Sequence, residues 1–240
     1  MRNFLLLLLS VSVLAGSCRF VTGKRVKGNG NVLTQDRTQS GFNGVESYGS
    51  FDIFVSSGPQ TTVKIEAEEN LLPYIETYVD GDILKIDTRD GFNLRPQRGL
   101  KVFITAPDFR RIKSYGSGNI IGETKIVSTE KLVVGVAGSA DIKMEVDAPE
   151  VNADITGSGN CQLNGTTKIF HSSVSGSGEI RAYDLLAEET KVRISGSGNA
   201  DVYASISLDI SVAGSGDVRY KGNGKVSSNI AGSGNVKKVD

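Results

Sequence analysis

A short glycine-rich tetrapeptide recurs along the second half of the chain and constrains the fold more than any other feature. It reads Gly-Ser-Gly followed by Asn, Asp or Glu in six copies and Gly-Ser-Ala-Asp in a seventh. Successive copies begin 18 to 22 residues apart. Self-similarity with a period near 20 residues is typical of stacked repeat architectures. The seven copies begin at Gly116, Gly138, Gly157, Gly176, Gly196, Gly214 and Gly232.

Apolar side chains flank each tetrapeptide at fixed distances. Two residues before the first glycine, six of the seven copies carry Val or Ile, and Ser114 is the exception. Alternation with period two on both arms of a glycine turn predicts strands that meet at a sharp corner. Four residues after the first glycine, every copy carries an apolar side chain: Ile120, Ile142, Cys161, Ile180, Ala200, Val218 and Val236.

A meander of antiparallel hairpins and a coil of parallel strands could both produce this pattern. A coil stacks equivalent corners on one another, which explains why the tetrapeptides match, whereas a meander gives no reason for the match. We therefore predict an all-β fold, with a parallel β-solenoid (β-helix) over residues 111–240. Residues 28–110 are predicted to be an irregular all-β part, with a hairpin at Asp80-Gly81-Asp82 because Asp-Gly favours tight turns.

The fourth position of the tetrapeptide alternates between neutral and acidic residues without exception. Stacked carboxylates about 4.8 Å apart would repel by roughly 1 kcal/mol in water, and an intervening amide doubles that distance. We therefore predict that these side chains form a polar ladder, and that the neighbouring serine hydroxyls stack and hydrogen-bond in the same way. The predicted ladder consists of Asn119, Asp141, Asn160, Glu179, Asn199, Asp217 and Asn235.

Neither catalysis nor metal binding is predicted from the candidate residues. Calcium sites need several carboxylate oxygens, whereas these corners alternate acids with amides, and no His/Cys spacing suits zinc. The single histidine, His171, is expected at the surface. Asp141, Asp217 and Arg219 could serve a polysaccharide-cleaving β-helix, but they follow the repeat where a catalytic site should break it. We predict no catalytic residue, no metal and no cofactor.

The first seventeen residues have the pattern of a secretory signal peptide. Arg2 supplies a positive start, residues 4–9 are apolar and residues 15–17 are small, which is the order that signal peptides show. The apolar segment is far shorter than the roughly 20 residues that a spanning helix needs. The segment 1–17 therefore predicts export.

Cys18 follows the signal peptide directly, in Leu-Ala-Gly-Ser-Cys. This segment resembles a bacterial lipobox, in which the cysteine is lipidated and becomes the first mature residue, although Ala15 stands where a strict lipobox has Leu. We predict lipidation at Cys18, attachment to the membrane through that anchor, and a tether over residues 18–27. The other cysteine, Cys161, occupies an apolar strand position, so no disulfide is expected.

The charge balance bears on partners that a strongly charged chain would attract over long distances. The chain has 27 basic and 27 acidic residues, so no global field attracts nucleic acid or an anionic membrane surface. We predict no nucleic-acid partner.

Several ordered segments outside the repeat resemble one known family. They are Gly-Phe-Asn-Gly-Val-Glu at 41–46, Gly-Ser-Phe-Asp-Ile at 49–53, Glu-Asn-Leu-Leu-Pro-Tyr-Ile-Glu-Thr at 69–77 and Leu-Lys-Val-Phe-Ile-Thr-Ala-Pro at 100–107. Together with the corners, these segments resemble the putative auto-transporter adhesin, head GIN domain family, over about residues 28–240. The resemblance implies a β-helix-like fold and a cell-envelope location, and it supplies no catalytic residues.

Three functions remain open from the sequence. The preferred one is a lipid-anchored binding or adhesion module without catalytic activity, held at the outer membrane on its periplasmic or cell-surface side, with an unknown protein or glycan as ligand. The alternatives are a β-helix that binds or cleaves polysaccharides, and a structural periplasmic lipoprotein. Any binding site is expected where the repeat is broken, at Ser114-Tyr115, at Ala140 or in the irregular loop 88–99.

Overall fold

The computed structural model describes residues 23–239. The predicted signal peptide 1–17 and the predicted lipidation site Cys18 lie outside the described residues. Within the described range, no helix is long and apolar enough to span a membrane.

The N-terminal part of the described chain contains nine strands and one short 3-10 turn. Their bounds are β1 Lys24–Lys27, β2 Val32–Arg37, β3 Gly44–Gly49, β4 Asp52–Ser57, β5 Thr62–Glu68, the 3-10 turn Leu72–Tyr74, β6 Ile75–Asp80, β7 Ile83–Thr88, β8 Phe92–Arg95 and β9 Lys101–Ala106.

Fourteen strands follow in the part of the described chain that carries the repeats. They are β10 Arg111–Gly116, β11 Ile120–Gly122, β12 Ile126–Val127, β13 Lys131–Gly138, β14 Asp141–Asp147, β15 Glu150–Gly157, β16 Asn160–Gly176, β17 Glu179–Ala182, β18 Leu185–Gly196, β19 Asn199–Tyr203, β20 Ser207–Gly214, β21 Val218–Lys221, β22 Lys225–Gly232 and β23 Val236–Lys238.

The strands on the two sides of the corners form two parallel columns. The first column runs β7, β3, β10, β13, β15, β16, β18, β20 and β22, and every neighbouring pair in it is parallel. The second runs β9, β4, β11, β14, β16, β17, β19, β21 and β23, also parallel throughout. This arrangement of about seven turns confirms the predicted parallel β-solenoid.

The first rung of the stack comes from the irregular N-terminal part. Strand β3 pairs with β10 in parallel, and Gly49 lies opposite Gly116. The hairpin between β6 and β7 forms as predicted, with Gly81 at its turn. Strand β5 is antiparallel to both β2 and β9. The sheet at this end of the stack therefore contains both parallel and antiparallel pairs.

Strands β1 and β8 form a separate parallel ribbon, in which Lys24 lies opposite Phe92 and Lys27 opposite Arg95. The structure therefore differs from the predicted tether at residues 24–27 and from the predicted loop at residues 92–95. The partners are 68 residues apart in sequence, so no local pattern signals the pairing.

Inward-facing side chains stack into a narrow apolar core. The predicted flanking residues Val136, Ile155 and Val174 are no more than 3 % exposed. Ile230, the equivalent residue of the last rung, is 37 % exposed, since no further described rung covers it. Ser228 lies opposite the buried Ile210, so this rung places a polar residue at an interior position, as terminal repeats of solenoids do.

Candidate functional site

The seven predicted corner glycines lie in one column along the edge of the solenoid. Each of the last five, from Gly157 onward, is the register partner of the corner glycine before it. A Cβ atom added to any of the seven would lie closer than 3.0 Å to the carbonyl oxygen of the preceding corner glycine, with Gly49 preceding Gly116. Real Cβ atoms essentially never approach backbone so closely, so this close stacking requires glycine.

The corners are joined by backbone hydrogen bonds. In each rung the serine N–H donates to the glycine carbonyl oxygen of the rung before, as Ser177 does to Gly157 at 2.9 Å and Ser197 to Gly176 at 2.9 Å. Among the described residues, only the Ser50 and Ser117 hydroxyls of this column lie within hydrogen-bond distance, at 3.2 Å. The predicted hydroxyl ladder is therefore wrong beyond that pair, because rungs spaced by about 4.8 Å hold like-oriented hydroxyls too far apart.

The fourth corner positions form a ladder of a different kind from the one predicted. The side-chain oxygen of one rung accepts a hydrogen bond from the backbone N–H of the next, as Asn119 does from Asp141 at 3.1 Å and Asp217 from Asn235 at 2.9 Å. Asp52 begins the ladder by accepting from the Asn119 N–H at 3.0 Å. Only at Asp141 does a neighbouring amide side chain also donate, from Asn160 at 2.8 Å.

Glu179 interrupts this ladder. Its N–H donates to the Gly159 carbonyl oxygen at 3.2 Å, and the Asn199 N–H donates to the Gly178 carbonyl oxygen at 3.1 Å. The glutamate is one methylene longer than its neighbours, and its carboxylate binds Arg181 instead. Most ladder oxygens are thus occupied by backbone amides. Within residues 23–239 no group of His, Cys, Asp or Glu is arranged to hold a metal ion.

The residues weighed for polysaccharide cleavage do not come together. Asp141 and Asp217 are four rungs apart along the ladder, which is about 19 Å at the strand spacing. Glycosidase carboxylates lie roughly 5–10 Å apart. Arg219 forms a bidentate ion pair with Asp201, at 2.7 and 2.9 Å.

The single histidine and the described cysteine also lie apart from any nucleophilic arrangement. The His171 side chain is 42 % exposed, and its Nε2 lies 3.9 Å from Glu150. Cys161 is 1 % exposed, and burial, together with the nearby Asp154 carboxylate, raises the pKa of its thiol to about 12. A thiol with that pKa stays protonated at neutral pH and is unreactive.

The repeat is broken most clearly at its first rungs, where two tyrosines replace small corner neighbours. Tyr48 and Tyr115 lie in register on β3 and β10, and their rings stack with centroids 4.9 Å apart and planes 7° from parallel. Each tyrosine directly precedes a corner glycine. We call this pair the tyrosine platform.

A nearly buried carboxylate supports the platform. Glu46 is 5 % exposed and lies on the same side of β3 as Tyr48, two residues away. Its carboxylate accepts from the Tyr48 hydroxyl at 2.7 Å and from Arg111 Nε at 2.6 Å. Burial alone would raise the pKa of Glu46, but these hydrogen bonds and the Arg111 charge outweigh it and hold the pKa below its ordinary value.

A groove of about 920 Å³ opens beside the platform. We call it the head groove; its walls are Tyr48, the corner residues 49–50 and the segment 87–96, with Gly23 and Leu100. The loop 88–99 and Ser114-Tyr115 were predicted as places for a binding site. The structure brings the loop against the platform, to which Tyr115 belongs, whereas Ser114 is fully buried and donates to the Gly118 carbonyl oxygen at 3.0 Å. Ala140, the third predicted place, is fully buried in the core and is therefore excluded as a binding surface.

Two carboxylates line the head groove. Asp90 is exposed and Asp87 is half-buried. Burial, with the Asp90 and Glu76 carboxylates nearby, raises the pKa of Asp87 although the Thr88 N–H donates to it. A carboxyl group with a raised pKa in a groove is a common mark of a functional site. Asp87 and Glu46 were not predicted from the sequence as functional residues, whereas Tyr48 and Tyr115 belong to the tyrosines beside corners that could stack on sugars, for which packing at the rung edge was the preferred prediction.

Comparisons with known proteins agree with this architecture. A family model described as "Putative auto-transporter adhesin, head GIN domain" matches residues 41–224. A crystallised protein of Parabacteroides distasonis ATCC 8503, described as a putative lipid binding protein, is 28 % identical with a TM-score of 0.75, over 90 % of this chain and 100 % of its own. No curated protein matches this chain.

Two further crystallised proteins are described as putative adhesins. One from the same Parabacteroides distasonis strain is 25 % identical with a TM-score of 0.72, over 90 % of this chain and 100 % of its own. One from Bacteroides fragilis NCTC 9343 is 23 % identical with a TM-score of 0.85, over 89 % of this chain and 100 % of its own. The latter shows that the fold is shared.

The lowered pKa of Glu46 predicts a pH-dependent contribution to stability. A carboxylate with a depressed folded-state pKa stabilises the fold above its ordinary pKa of about 4.3, and the contribution is lost as the pH falls through the folded-state pKa. We expect Glu46→Gln to lower the free energy of unfolding by about 1–3 kcal/mol at neutral pH. The difference from wild type should shrink below about pH 4, as measured by denaturant titration.

Asp36→Asn is the matched control. The Asp36 side chain is 86 % exposed and lies 3.9 Å from Lys64, so its loss should change stability by less than about 0.5 kcal/mol. An effect of Glu46→Gln that is the same at neutral and acidic pH would contradict the assignment of a stabilising buried carboxylate.

Proposed function

We propose that this chain, which belongs to the head GIN domain family as its sequence predicts, is a lipid-anchored binding module of the cell envelope that holds a glycan in its head groove. The observation that carries the proposal is the tyrosine platform beside two carboxylates, in a groove of about 920 Å³. The family description and the relatives described as adhesins support a binding role at an exported location.

The chemistry of the head groove favours a sugar over a wholly apolar ligand. A tyrosine ring offers an apolar face on which a sugar ring can stack, and its hydroxyl remains polar. Asp87, Asp90 and Asn93 line the same groove and provide acceptors and an amide for hydroxyl groups. A pocket with an aromatic surface and a few convergent polar groups is the usual form of a small-ligand site.

The platform is held rigid before any ligand arrives. The Glu46 carboxylate accepts hydrogen bonds from Tyr48 and Arg111, and Arg111 Nη2 lies 3.2 Å from the Tyr115 hydroxyl. A preorganised aromatic surface loses little conformational entropy on binding.

The anchor is the second part of the proposal. Cys18 follows a signal-peptide pattern, and β1 begins only six residues later, at Lys24. One acyl chain anchors a protein marginally whereas several anchor it stably. A lipidated Cys18 would hold the head groove close to the outer membrane that carries it, on the periplasmic or the cell-surface side.

A glycan array followed by titration of any hit tests the ligand class. We expect binding without turnover, and a loss of about tenfold or more in affinity for Tyr48→Ala and for Asp90→Ala, since one aromatic or charged contact contributes at least about 1.4 kcal/mol. Circular dichroism establishes that each variant is folded.

The controls for the array are Tyr78→Ala and Asp184→Ala. Both residues are exposed and lie outside the head groove, so their affinities should match wild type. Binding that survives both groove variants would disprove the assignment to the head groove. Cleavage of a bound polysaccharide would disprove a purely binding role.

The anchor is tested in cells by Cys18→Ala. Wild-type protein should sediment with the outer membrane, whereas the variant should appear in the soluble fraction, because the acyl chains are the attachment that we propose. Protease treatment of intact cells then separates the two sides of the membrane. Equal sedimentation of variant and wild type would contradict anchoring through Cys18, and protection from protease would exclude an adhesive role at the cell surface.

A further inference from the structure

The β1–β8 ribbon carries an unusual concentration of positive charge. Residues 23–28 and 92–98 contain five basic side chains and no acidic one, in a chain whose total formal charge is zero. All five are exposed. Val26 and Leu94 pack against the core from the same ribbon, so the charges are displayed from a backbone that the fold holds in place. The five are Lys24, Arg25, Lys27, Arg95 and Arg98.

None of these five side chains forms an ion pair within the described part of the chain. Twelve other Lys and Arg residues, from Lys64 to Arg219, form ion pairs with carboxylates within 4.0 Å, but no ribbon residue does so with any carboxylate of residues 23–239. The Glu68 carboxylate lies against Gly28, the residue after β1. It is buried and accepts from the backbone N–H groups of Gly30 and Gln97. Burial raises the pKa of Glu68, but hydrogen bonds from the backbone N–H groups of Gln97, Gly30 and Arg98, together with the Arg98 charge, outweigh it and lower the pKa, so Arg98 is the least available of the five.

The arrangement within the ribbon is itself unfavourable without an anion. Lys27 and Arg95 are direct register partners, so two like charges extend from neighbouring strands. Arg25 lies on the same side of β1 as Lys27, two residues away. Like charges about 4.8 Å apart repel, and an anionic surface would relieve that repulsion at all three side chains together.

The ribbon also lies close to the proposed anchor. Lys24 follows Cys18 by six residues, and six extended residues span at most about 20 Å. The headgroup layer on each side of a bilayer is roughly 6 Å thick. With Cys18 acylated, the ribbon therefore stays near the membrane that holds the acyl chains. Electrostatic attraction between the ribbon and that membrane acts over about 8–10 Å at physiological ionic strength.

We propose that the β1–β8 ribbon is a docking surface for the anionic lipid headgroups of the membrane to which Cys18 is attached. This inference rests on the anchor of the proposed function for its cellular setting, but the lipid contact can be measured without the anchor. Arg25, Lys27 and Arg95 are the residues that contact lipid phosphates. Docking would fix the orientation of the solenoid at its N-terminal end and present the head groove, whose wall includes Arg95, at the level of the headgroups.

Vesicle co-sedimentation of the unacylated chain from residue 19 onward tests the proposal. Every described strand lies within residues 24–238, so this chain retains the whole described fold, and circular dichroism checks that the fold forms. We expect binding to vesicles of phosphatidylglycerol mixed with phosphatidylcholine and none to phosphatidylcholine alone. Raising the ionic strength from about 0.1 M to about 1 M, which shortens the Debye length from about 10 Å to about 3 Å, should abolish it.

Two triple variants of equal charge change decide whether the ribbon is responsible. Each basic residue near an anionic surface contributes about a factor of five in affinity, so Arg25→Ser/Lys27→Ser/Arg95→Ser should weaken vesicle binding about 100-fold. The control is Lys143→Ser/Lys168→Ser/Lys237→Ser, three exposed lysines of other rungs, and it should bind within about twofold of the parent chain. Both variants are checked for folding by circular dichroism.

Three results would overturn the proposal: no dependence on phosphatidylglycerol, equal weakening in both triple variants, or binding to a soluble polyanionic polysaccharide with none to anionic vesicles. The last result would assign the ribbon to polymer recognition. Failure of the anchor is a separate outcome, since it appears as unchanged membrane sedimentation of Cys18→Ala in cells and leaves the vesicle result unaffected.

Discussion

The contact on which the rest of the structure depends is the stacking of one corner glycine on the next. The serine N–H of each rung donates to the glycine carbonyl oxygen of the rung before, and a side chain on the upper glycine would collide with that oxygen. This contact sets the register of both strand columns. It therefore also aligns the apolar core residues, the fourth-position ladder and the outward rows, including the stacked rings of Tyr48 and Tyr115.

The residues that hold the rungs together are therefore different from the residues that are proposed to bind ligands. The most repeated polar groups are occupied in holding rungs together, as Asp141 and Asp217 are by the backbone amides of the next rung. The residues proposed to bind ligands lie before the repeat or at its first rung: the segment 87–96, the β1–β8 ribbon and the platform. All three lie at the N-terminal end of the stack, where β1 follows the proposed anchor by six residues, so ligand and membrane contacts would be concentrated at one end.

Periodicity in the sequence was sufficient to predict the parallel stack, because each rung repeats the same glycine corner and the same alternation of apolar residues beside it. The details that it did not predict depend on contacts between distant residues. The pairing of Lys24 with Phe92 has no local signature, the buried position of Ala140 depends on the neighbouring rungs, and the acceptor role of the ladder depends on the distance from a side chain to the next backbone amide. Glu179 illustrates the last case, since one additional methylene redirects its carboxylate to Arg181.

The most direct test of this account compares two glycine-to-alanine substitutions in the free energy of unfolding. Gly116 and Gly81 differ in what makes alanine costly. Gly116 does not have a positive φ, but a Cβ there would collide with the Gly49 carbonyl oxygen, whereas Gly81 has a φ of 64° and a Cβ there meets nothing within 4 Å. Gly81→Ala should cost only the left-handed backbone penalty of about 1–2 kcal/mol. Gly116→Ala should cost more than about 3 kcal/mol, because the rungs must separate. A smaller loss at Gly116 than at Gly81 would show that the glycines serve backbone conformation alone and would contradict the stacking of corners as the constraint that sets the fold.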